Sequence, residues 1–193
     1  MKPVLVPGGR RLARTGAALG LLGLLGLPLL ASCGPTPGTL DWKAVDTLIA
    51  EDFPGVPRVT PRTLAERIAS GREPVVLLDA RAADEFAVSH LRGAHHVGSD
   101  VEAASQLAAS DADALVVVYC SVGYRSAALV GALRERGHAA VNLDGSLFRW
   151  VTEGHPVYRG STRVAEVHPY DESWGTLLPA HLWAFEPTAT GQP

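Results

Sequence analysis

The chain has 193 residues, of which 47% are hydrophobic and 19% charged, and this composition excludes a wholly disordered protein. The length allows one globular domain with a hydrophobic core of its own. Four basic residues and no acidic ones lie in the first 32 positions, so the rest of the chain carries 13 basic and 20 acidic residues. The resulting net charge of −7 argues against nucleic acid or an anionic membrane surface as a partner of the folded part.

The amino-terminal segment has the layout of a secretory signal peptide. The basic stretch Arg10 to Arg14 precedes the apolar run Gly16 to Ala31, which is shorter than the roughly 20 residues of a membrane span. Leu30-Ala31-Ser32-Cys33 resembles the bacterial lipobox. This resemblance implies a lipoprotein signal peptide over residues 1–32 and a lipid on Cys33. We therefore expect a domain outside the cytoplasm, lipid-anchored to a membrane of the bacterial cell envelope; an uncleaved transmembrane anchor is the alternative.

Residues 33–38 are rich in glycine and proline and are expected to form a lipidated tether. An N-terminal helical extension over residues 39–58 follows, because apolar residues recur at helical spacing from Leu40 to Asp52. Thr60 and Pro61 predict the N-cap and first residue of a second helix, which reaches Ser70.

Four short apolar runs alternate with helical patterns in the next part of the chain. The predicted strands are Val75–Leu78, Ala94–Val97, Leu115–Tyr119 and Ala139–Leu143, and the predicted helices are Ala82–Val88, Val101–Ala109, Ser126–Arg136 and Leu147–Glu153. Strands that are apolar on both faces indicate a mostly parallel sheet covered on both sides. The pattern predicts an α/β fold: an open parallel sheet flanked by helices on both faces.

The segment Cys120 to Ser126 lies between a predicted strand and a predicted helix. Open α/β sheets bind their ligands at the carboxyl ends of strands, and backbone N–H groups at a helix N-terminus bind anions and stabilise a thiolate. If Cys33 carries lipid, Cys120 has no disulfide partner, because the chain contains two cysteines. An unpaired thiol outside the cytoplasm favours a chemical role. We predict a nucleophilic cysteine in an anion-binding loop.

Residues 59–158 contain a series of short motifs: Leu78-Asp79-Ala80-Arg81, Asp84-Glu85-Phe86, Ser89-His90-Leu91-Arg92-Gly93-Ala94, Cys120 to Ser126, Leu143-Asp144-Gly145-Ser146, Trp150, Gly154 and Pro156-Val157. Taken in this order, they resemble a single rhodanese domain. The active loop of the family, C-x-x-G-x-R-S, is matched in full, whereas Ser89 and Ser146 replace expected glycines. The resemblance implies a rhodanese-like fold and a sulfurtransferase with no cofactor. Its cysteine would take sulfur from a small donor such as thiosulfate and pass it to a thiol or cyanide.

The resemblance also implies roles for the loop residues. Cys120 is expected to be the nucleophile and persulfide carrier, assisted by the positive charge of Arg125. Arg125 facing solvent, or paired with a neighbouring loop, is the alternative. The loop expected to hold the anion through its backbone amides comprises Ser121, Val122, Gly123, Tyr124 and Ser126, and Ser126 is also expected to cap the following helix.

The remaining candidate residues are expected to be structural. The resemblance implies that Arg81, beside Asp79, is held by an acid such as Glu85, and His90 is expected to hold a turn. Neighbouring strand residues point to opposite faces, so the adjacent His95 and His96 predict no metal site. The tail 159–193 is expected to be an arm packed on the domain, with packing roles for its histidines and tryptophans: His168, His181, Trp174 and Trp183.

Two other functions remain open from the sequence. Phosphatases related to rhodaneses use a Cys-x5-Arg loop, one residue longer than the Cys120 to Arg125 loop of this chain. The other open function is that of a non-enzymatic domain, which binds a partner or senses redox state through Cys120.

Overall fold

The structure is a computed structural model that describes residues 40–108 and 113–188. The predicted signal peptide (1–32), the tether (33–38) and Cys33 lie outside the described residues. Within the described ranges, no helix is both long enough and apolar enough to cross a membrane.

In the described part of the chain, five parallel strands form the central sheet. They are β1 (Arg58–Val59), β2 (Val75–Asp79), β3 (His95–His96), β4 (Leu115–Tyr119) and β5 (Ala140–Leu143), arranged in the order β1-β5-β4-β2-β3. The register pairs Val117 of β4 with Leu77 on one side and Val141 on the other. The two-residue edge strand β1 escaped prediction because so short a segment has no periodicity.

Within residues 40–108 and 113–188, six helices accompany this sheet. They are α1 (Trp42–Asp52), α2 (Pro61–Ser70), α3 (Ala83–Val88), α4 (Asp100–Ala108), α5 (Tyr124–Glu135) and α6 (Ser146–Thr152). Local signals explain where α2 begins and ends: the Thr63 N–H donates to Thr60 Oγ1 at 3.2 Å, Pro61 occupies the first turn, and Gly71 ends the helix at a φ of 57°.

Helices cover both faces of the sheet. Val117 of β4 belongs to a buried cluster that includes residues of α1, α2 and α6. Its neighbours Val116 and Val118 point the other way and pack with residues of α4 and α5. This arrangement confirms the predicted α/β fold class, an open parallel sheet flanked by helices on both faces.

The segment after β5 and α6 also has regular structure. It contains the antiparallel hairpin β6 (Val157–Arg159) and β7 (Thr162–Val164), the short helix α7 (Glu172–Gly175), and a 3-10 turn over Ala180–Leu182. Val167, Leu177 and Leu178 are buried in the same cluster as the core of α6. This segment therefore packs against the sheet-and-helix body along much of its length.

Candidate active site

The loop that follows β4 lies at the carboxyl edge of the sheet. β4 is flanked by β2 and β5, and the strand that follows β2 in the chain, β3, lies on the side of β2 away from β4. The connections after β2 and β4 therefore run in opposite directions, which opens a crevice of the kind where α/β sheets bind ligands. Cys120 directly follows Tyr119, the last residue of β4.

The start of α6 holds the backbone of Cys120 in place. The Cys120 N–H donates to Ser146 Oγ at 3.1 Å, and the Cys120 carbonyl accepts from the Leu147 N–H at 3.1 Å. The next carbonyl, of Ser121, accepts from the Phe148 N–H at 3.0 Å. Ser146 has a φ of 49°, a left-handed conformation that costs a residue with a side chain roughly 1–2 kcal/mol. The Ser146 hydroxyl therefore gives the Cys120 N–H an acceptor that a glycine at this position would not provide.

Hydrogen-bond donors of the cysteine loop and of the following helix face the sulfur. The Gly123 N–H donates to Cys120 Sγ at 3.2 Å, and the Ser126 hydroxyl lies 3.5 Å from the same atom. Gly123 has a φ of 109°, and a Cβ there would lie 3.3 Å from Ile49 Cδ1, so the turn requires a glycine. Donors in this position stabilise negative charge on sulfur.

The prediction that Ser126 caps α5 is wrong. Helix α5 begins at Tyr124, with Gly123 as its N-cap residue. The left-handed conformation of Gly123 ends the loop early, so Ser126 falls inside the first turn. There its side chain is fully buried and turned towards Sγ.

Arg125 forms a two-pronged ion pair with Glu85. Its Nη1 and Nη2 donate to the two carboxylate oxygens at 2.7 and 2.8 Å, and Nη2 also donates to Ser121 Oγ at 3.0 Å. Burial tends to raise the pKa of Glu85, but hydrogen bonds from Arg125 and the Ala82 N–H outweigh it and lower that pKa to about 2. Burial tends to lower the pKa of Arg125, but Glu85 and Cys120 outweigh it, so that pKa is raised. Glu85 and Arg125 are therefore both charged at neutral pH.

Glu85 does not hold Arg81, contrary to the expectation from the sequence. Arg81 donates instead to Asp79, from Nε at 2.9 Å and from Nη2 at 2.7 Å, and both side chains are fully buried. Arg81 Nη2 also donates to the Ser89 carbonyl at 2.6 Å. Asp79 is the nearer acid because it ends β2 two residues before Arg81. The pair fastens the loop after β2 to the turn after α3.

The histidines near this edge have local partners. His90 Nδ1 lies 3.0 Å from the Phe86 carbonyl, and the two rings stack with centroids 4.0 Å apart. His96 Nε2 lies 2.8 Å from the Arg81 carbonyl, whereas the side chain of His95 is exposed. Within residues 40–108 and 113–188, no group of three or more His, Cys, Asp or Glu side chains is placed to hold a metal ion.

Cys120 lies against a small cavity of about 180 Å³. The polar lining comes from Ser121 and Arg125, and the apolar lining from Leu48, Val122, Tyr124, Tyr170 and Trp174. Trp174 packs against the core cluster, as predicted, and it also lines this cavity. Trp183 packs against the core cluster and donates to the Leu178 carbonyl. Tyr170 and Trp174 were missed as site residues because no sequence periodicity places the tail beside Cys120.

Residues 60–153 match the family model of the rhodanese-like domain. The chain contains a rhodanese-like domain. Curated relatives include the probable adenylyltransferase/sulfurtransferase MoeZ of Mycobacterium tuberculosis, 29% identical over 122 residues that cover 61% of this chain and 31% of MoeZ. The tRNA sulfurtransferase of Thermoplasma volcanium is 43% identical over 65 residues, 34% of this chain and 13% of that protein. The chain therefore spans less than a third of the length of either relative.

A solved structure supports the same fold. The crystal structure of thiosulfate sulfurtransferase from Pseudomonas aeruginosa superposes with a TM-score of 0.53 and 24% identity, covering 63% of this chain and 23% of that chain. In the present protein, the residues around Sγ lie within the rhodanese-like domain, whereas Leu48, Tyr170 and Trp174 lie outside the matched range. One side of the cavity is therefore built by segments that flank the domain.

Proposed function

We propose that this protein is a sulfurtransferase in which Cys120 carries sulfane sulfur as a persulfide from a small donor, such as thiosulfate, to a thiol or cyanide. One observation carries the proposal: Cys120 borders a cavity, and the Gly123 N–H and the Ser126 hydroxyl are directed at its Sγ. The sulfurtransferase names of the curated relatives support the same class of reaction.

The transfer has two balanced steps. The Cys120 thiolate attacks the outer sulfur of thiosulfate; the Sγ–S bond forms, the donor S–S bond breaks, and sulfite leaves with the electron pair. An acceptor thiolate or cyanide then attacks the terminal sulfur of the persulfide, and the electron pair returns to Cys120. The reaction consumes no external oxidant or reductant. The Gly123 N–H and the Ser126 hydroxyl stabilise the sulfur anion before and after each step.

Arg125 acts in this proposal as a positioning residue. Its guanidinium binds Glu85 with both terminal nitrogens and holds the Ser121 side chain, so it links α3 to the cysteine loop. The same ion pair does not favour a phosphatase, because an arginine committed to a carboxylate has fewer donors for a phosphoryl group.

Mass spectrometry of the full chain tests the chemistry. After incubation with thiosulfate or with an organic persulfide, we expect a gain of one sulfur that maps to Cys120 and is removed by cyanide. Cys120→Ser is expected to keep the fold, measured by circular dichroism, and to abolish the gain. If folded, reduced wild-type protein gains no sulfur from any donor, the proposal fails and a redox-sensing or partner-binding thiol takes its place.

We also propose that Cys33 carries a lipid that anchors the domain to a membrane of the bacterial cell envelope, outside the cytoplasm. The basic stretch, the short apolar run and the motif Leu30-Ala31-Ser32-Cys33 support this proposal. We expect wild-type protein to incorporate labelled fatty acid and Cys33→Ala to incorporate none. If Cys33→Ala protein shows the same label as wild type, Cys33 is not the lipidated residue.

A further inference from the structure

We propose that the cavity beside Cys120 selects an organic persulfide with an apolar substituent over thiosulfate, and that Tyr170 and Trp174 determine this specificity. The inference rests on the proposed sulfurtransferase function and names the class of donor for the same site.

The cavity presents apolar surface to whatever approaches the sulfur. Val122 and Tyr124 line it from the cysteine loop, Leu48 from α1, and Tyr170 and Trp174 from the tail. Leu48 is 39% and Tyr170 48% exposed, so this apolar surface remains open to solvent. The cavity volume of about 180 Å³ is below the roughly 300–1,000 Å³ of pockets for drug-sized ligands. It suits one small organic group beside the reacting sulfur.

The cavity lining has few groups that could bind thiosulfate, which is a dianion. Arg125 alone carries positive charge among the described residues that line the cavity, and both of its terminal nitrogens bind the Glu85 carboxylate. The hydroxyl of Tyr124, a lining residue, donates to Asp52 at 2.7 Å, so a further carboxylate lies next to the lining. Thiosulfate would lose hydration against apolar walls and meet no unpaired cation in that lining. An apolar substituent instead gains by leaving water.

The tail is held in place against the cavity. Tyr170 has a φ of 70°, a conformation that is costly for an aromatic residue, and its N–H donates to Nδ1 of the buried His168 at 3.0 Å. The Tyr170 ring lies 5.0 Å from the Arg125 guanidinium. Asp171 caps α7 by accepting the Trp174 N–H at 2.9 Å. Local hydrogen bonds thus orient both aromatic residues at the site.

The transfer from such a donor balances without a further reactant. The Cys120 thiolate attacks the outer sulfur of R–S–SH, the Sγ–S bond forms, and the S–S bond of the donor breaks. The electron pair leaves with R–S⁻, and the proton stays on the transferred sulfur. The group R occupies the apolar cavity, so Tyr170 and Trp174 contact the part of the donor that thiosulfate lacks.

The test measures second-order rate constants for loading Cys120 in the full chain, with benzyl hydrodisulfide and with thiosulfate. Wild-type protein is expected to favour benzyl hydrodisulfide by about tenfold or more, the effect of roughly 1.4 kcal/mol of apolar and aromatic contact. Trp174→Ala is expected to lower the benzyl hydrodisulfide rate by about fivefold to tenfold and to change the thiosulfate rate by less than about twofold. Tyr170→Ala is likewise expected to lower the benzyl hydrodisulfide rate and to change the thiosulfate rate by less than about twofold.

Phe185→Ala is the matched control, because Phe185 is an aromatic residue of the same tail that packs on His168 and does not line the cavity. Thermal denaturation of each variant, together with Trp174→Phe, separates loss of fold from loss of contact. Equal rates with both donors, or a Trp174→Ala effect no larger than that of Phe185→Ala, would overturn the inference and leave the sulfurtransferase proposal standing. Failure of every donor to load Cys120 would overturn both.

Discussion

Replacing Glu85 by glutamine removes a buried charge and keeps most of the side-chain shape. Glu85 is 3% exposed, and its pKa falls from an ordinary 4.5 to about 2. At about 1.4 kcal/mol per pKa unit, this shift corresponds to roughly 3 kcal/mol of folding stability at neutral pH. Arg125 is 35% exposed, so solvent screens part of the interaction. We expect Glu85→Gln to lower the free energy of unfolding by about 2 kcal/mol.

The pH dependence of this loss follows from the direction of the shift. The pKa of Glu85 is depressed in the folded state, so its contribution is fully present above about pH 4.5 and is lost as the pH falls towards 2. The stability difference between wild type and Glu85→Gln should therefore shrink over that range. Glu85→Gln also leaves Arg125 without its carboxylate partner. We therefore expect this variant to load Cys120 from thiosulfate faster, relative to benzyl hydrodisulfide, than wild type does.

Urea denaturation between about pH 7 and about pH 3 measures the stability effect. Glu66→Gln is the control: Glu66 pairs with Arg62 on the surface, where the two side chains are 68% and 83% exposed, and it should cost less than about 0.5 kcal/mol. The reasoning is refuted if Glu85→Gln costs no more than this control, or if its cost stays constant across the pH range.

Five further substitutions, at Asp79, Ser146, Gly145 and Gly131, test the structure around the loop and in α5. Asp79→Asn leaves a buried arginine unpaired and should lower the free energy of unfolding by about 3–5 kcal/mol in urea denaturation, and a cost below about 1 kcal/mol would contradict the buried pair. Ser146→Ala should lower the free energy of unfolding by about 1 kcal/mol, because the Cys120 N–H loses its hydrogen bond. Ser146→Gly loses the same bond but removes the strain of the left-handed backbone, so its free energy of unfolding should be nearly that of wild type. Equal losses in the two variants would count against this account. Gly145 has a φ of 62°, and a Cβ added there would lie 2.5 Å from Arg149 Cβ, so Gly145→Ala should lower the free energy of unfolding by more than about 1 kcal/mol. Gly131 lies within α5 with open space around it, so Gly131→Ala should raise the free energy of unfolding by about 0.5–1 kcal/mol. The reverse order of melting temperatures would contradict the backbone geometry.

Local patterns in the sequence predict the fold class and the position of Cys120 after a strand. Apolar runs alternating with helical patterns are local signals, and each of the four predicted strands overlaps a strand of the sheet. The boundaries of α2 were predictable for the same reason, because Thr60, Pro61 and Gly71 act within one turn of the chain. The position of Cys120 at the carboxyl end of a central strand follows from the same pattern.

Which side chains contact each other at the site depends on how the whole chain packs. The sequence predicts Glu85 beside Arg81. In the folded protein, Asp79 pairs with Arg81, and Glu85 pairs with Arg125. Tyr170 and Trp174 border the cavity beside Cys120 although many residues separate them from it in the chain. Such contacts depend on where the whole chain packs, since side-chain partners over long separations leave no periodicity in the sequence.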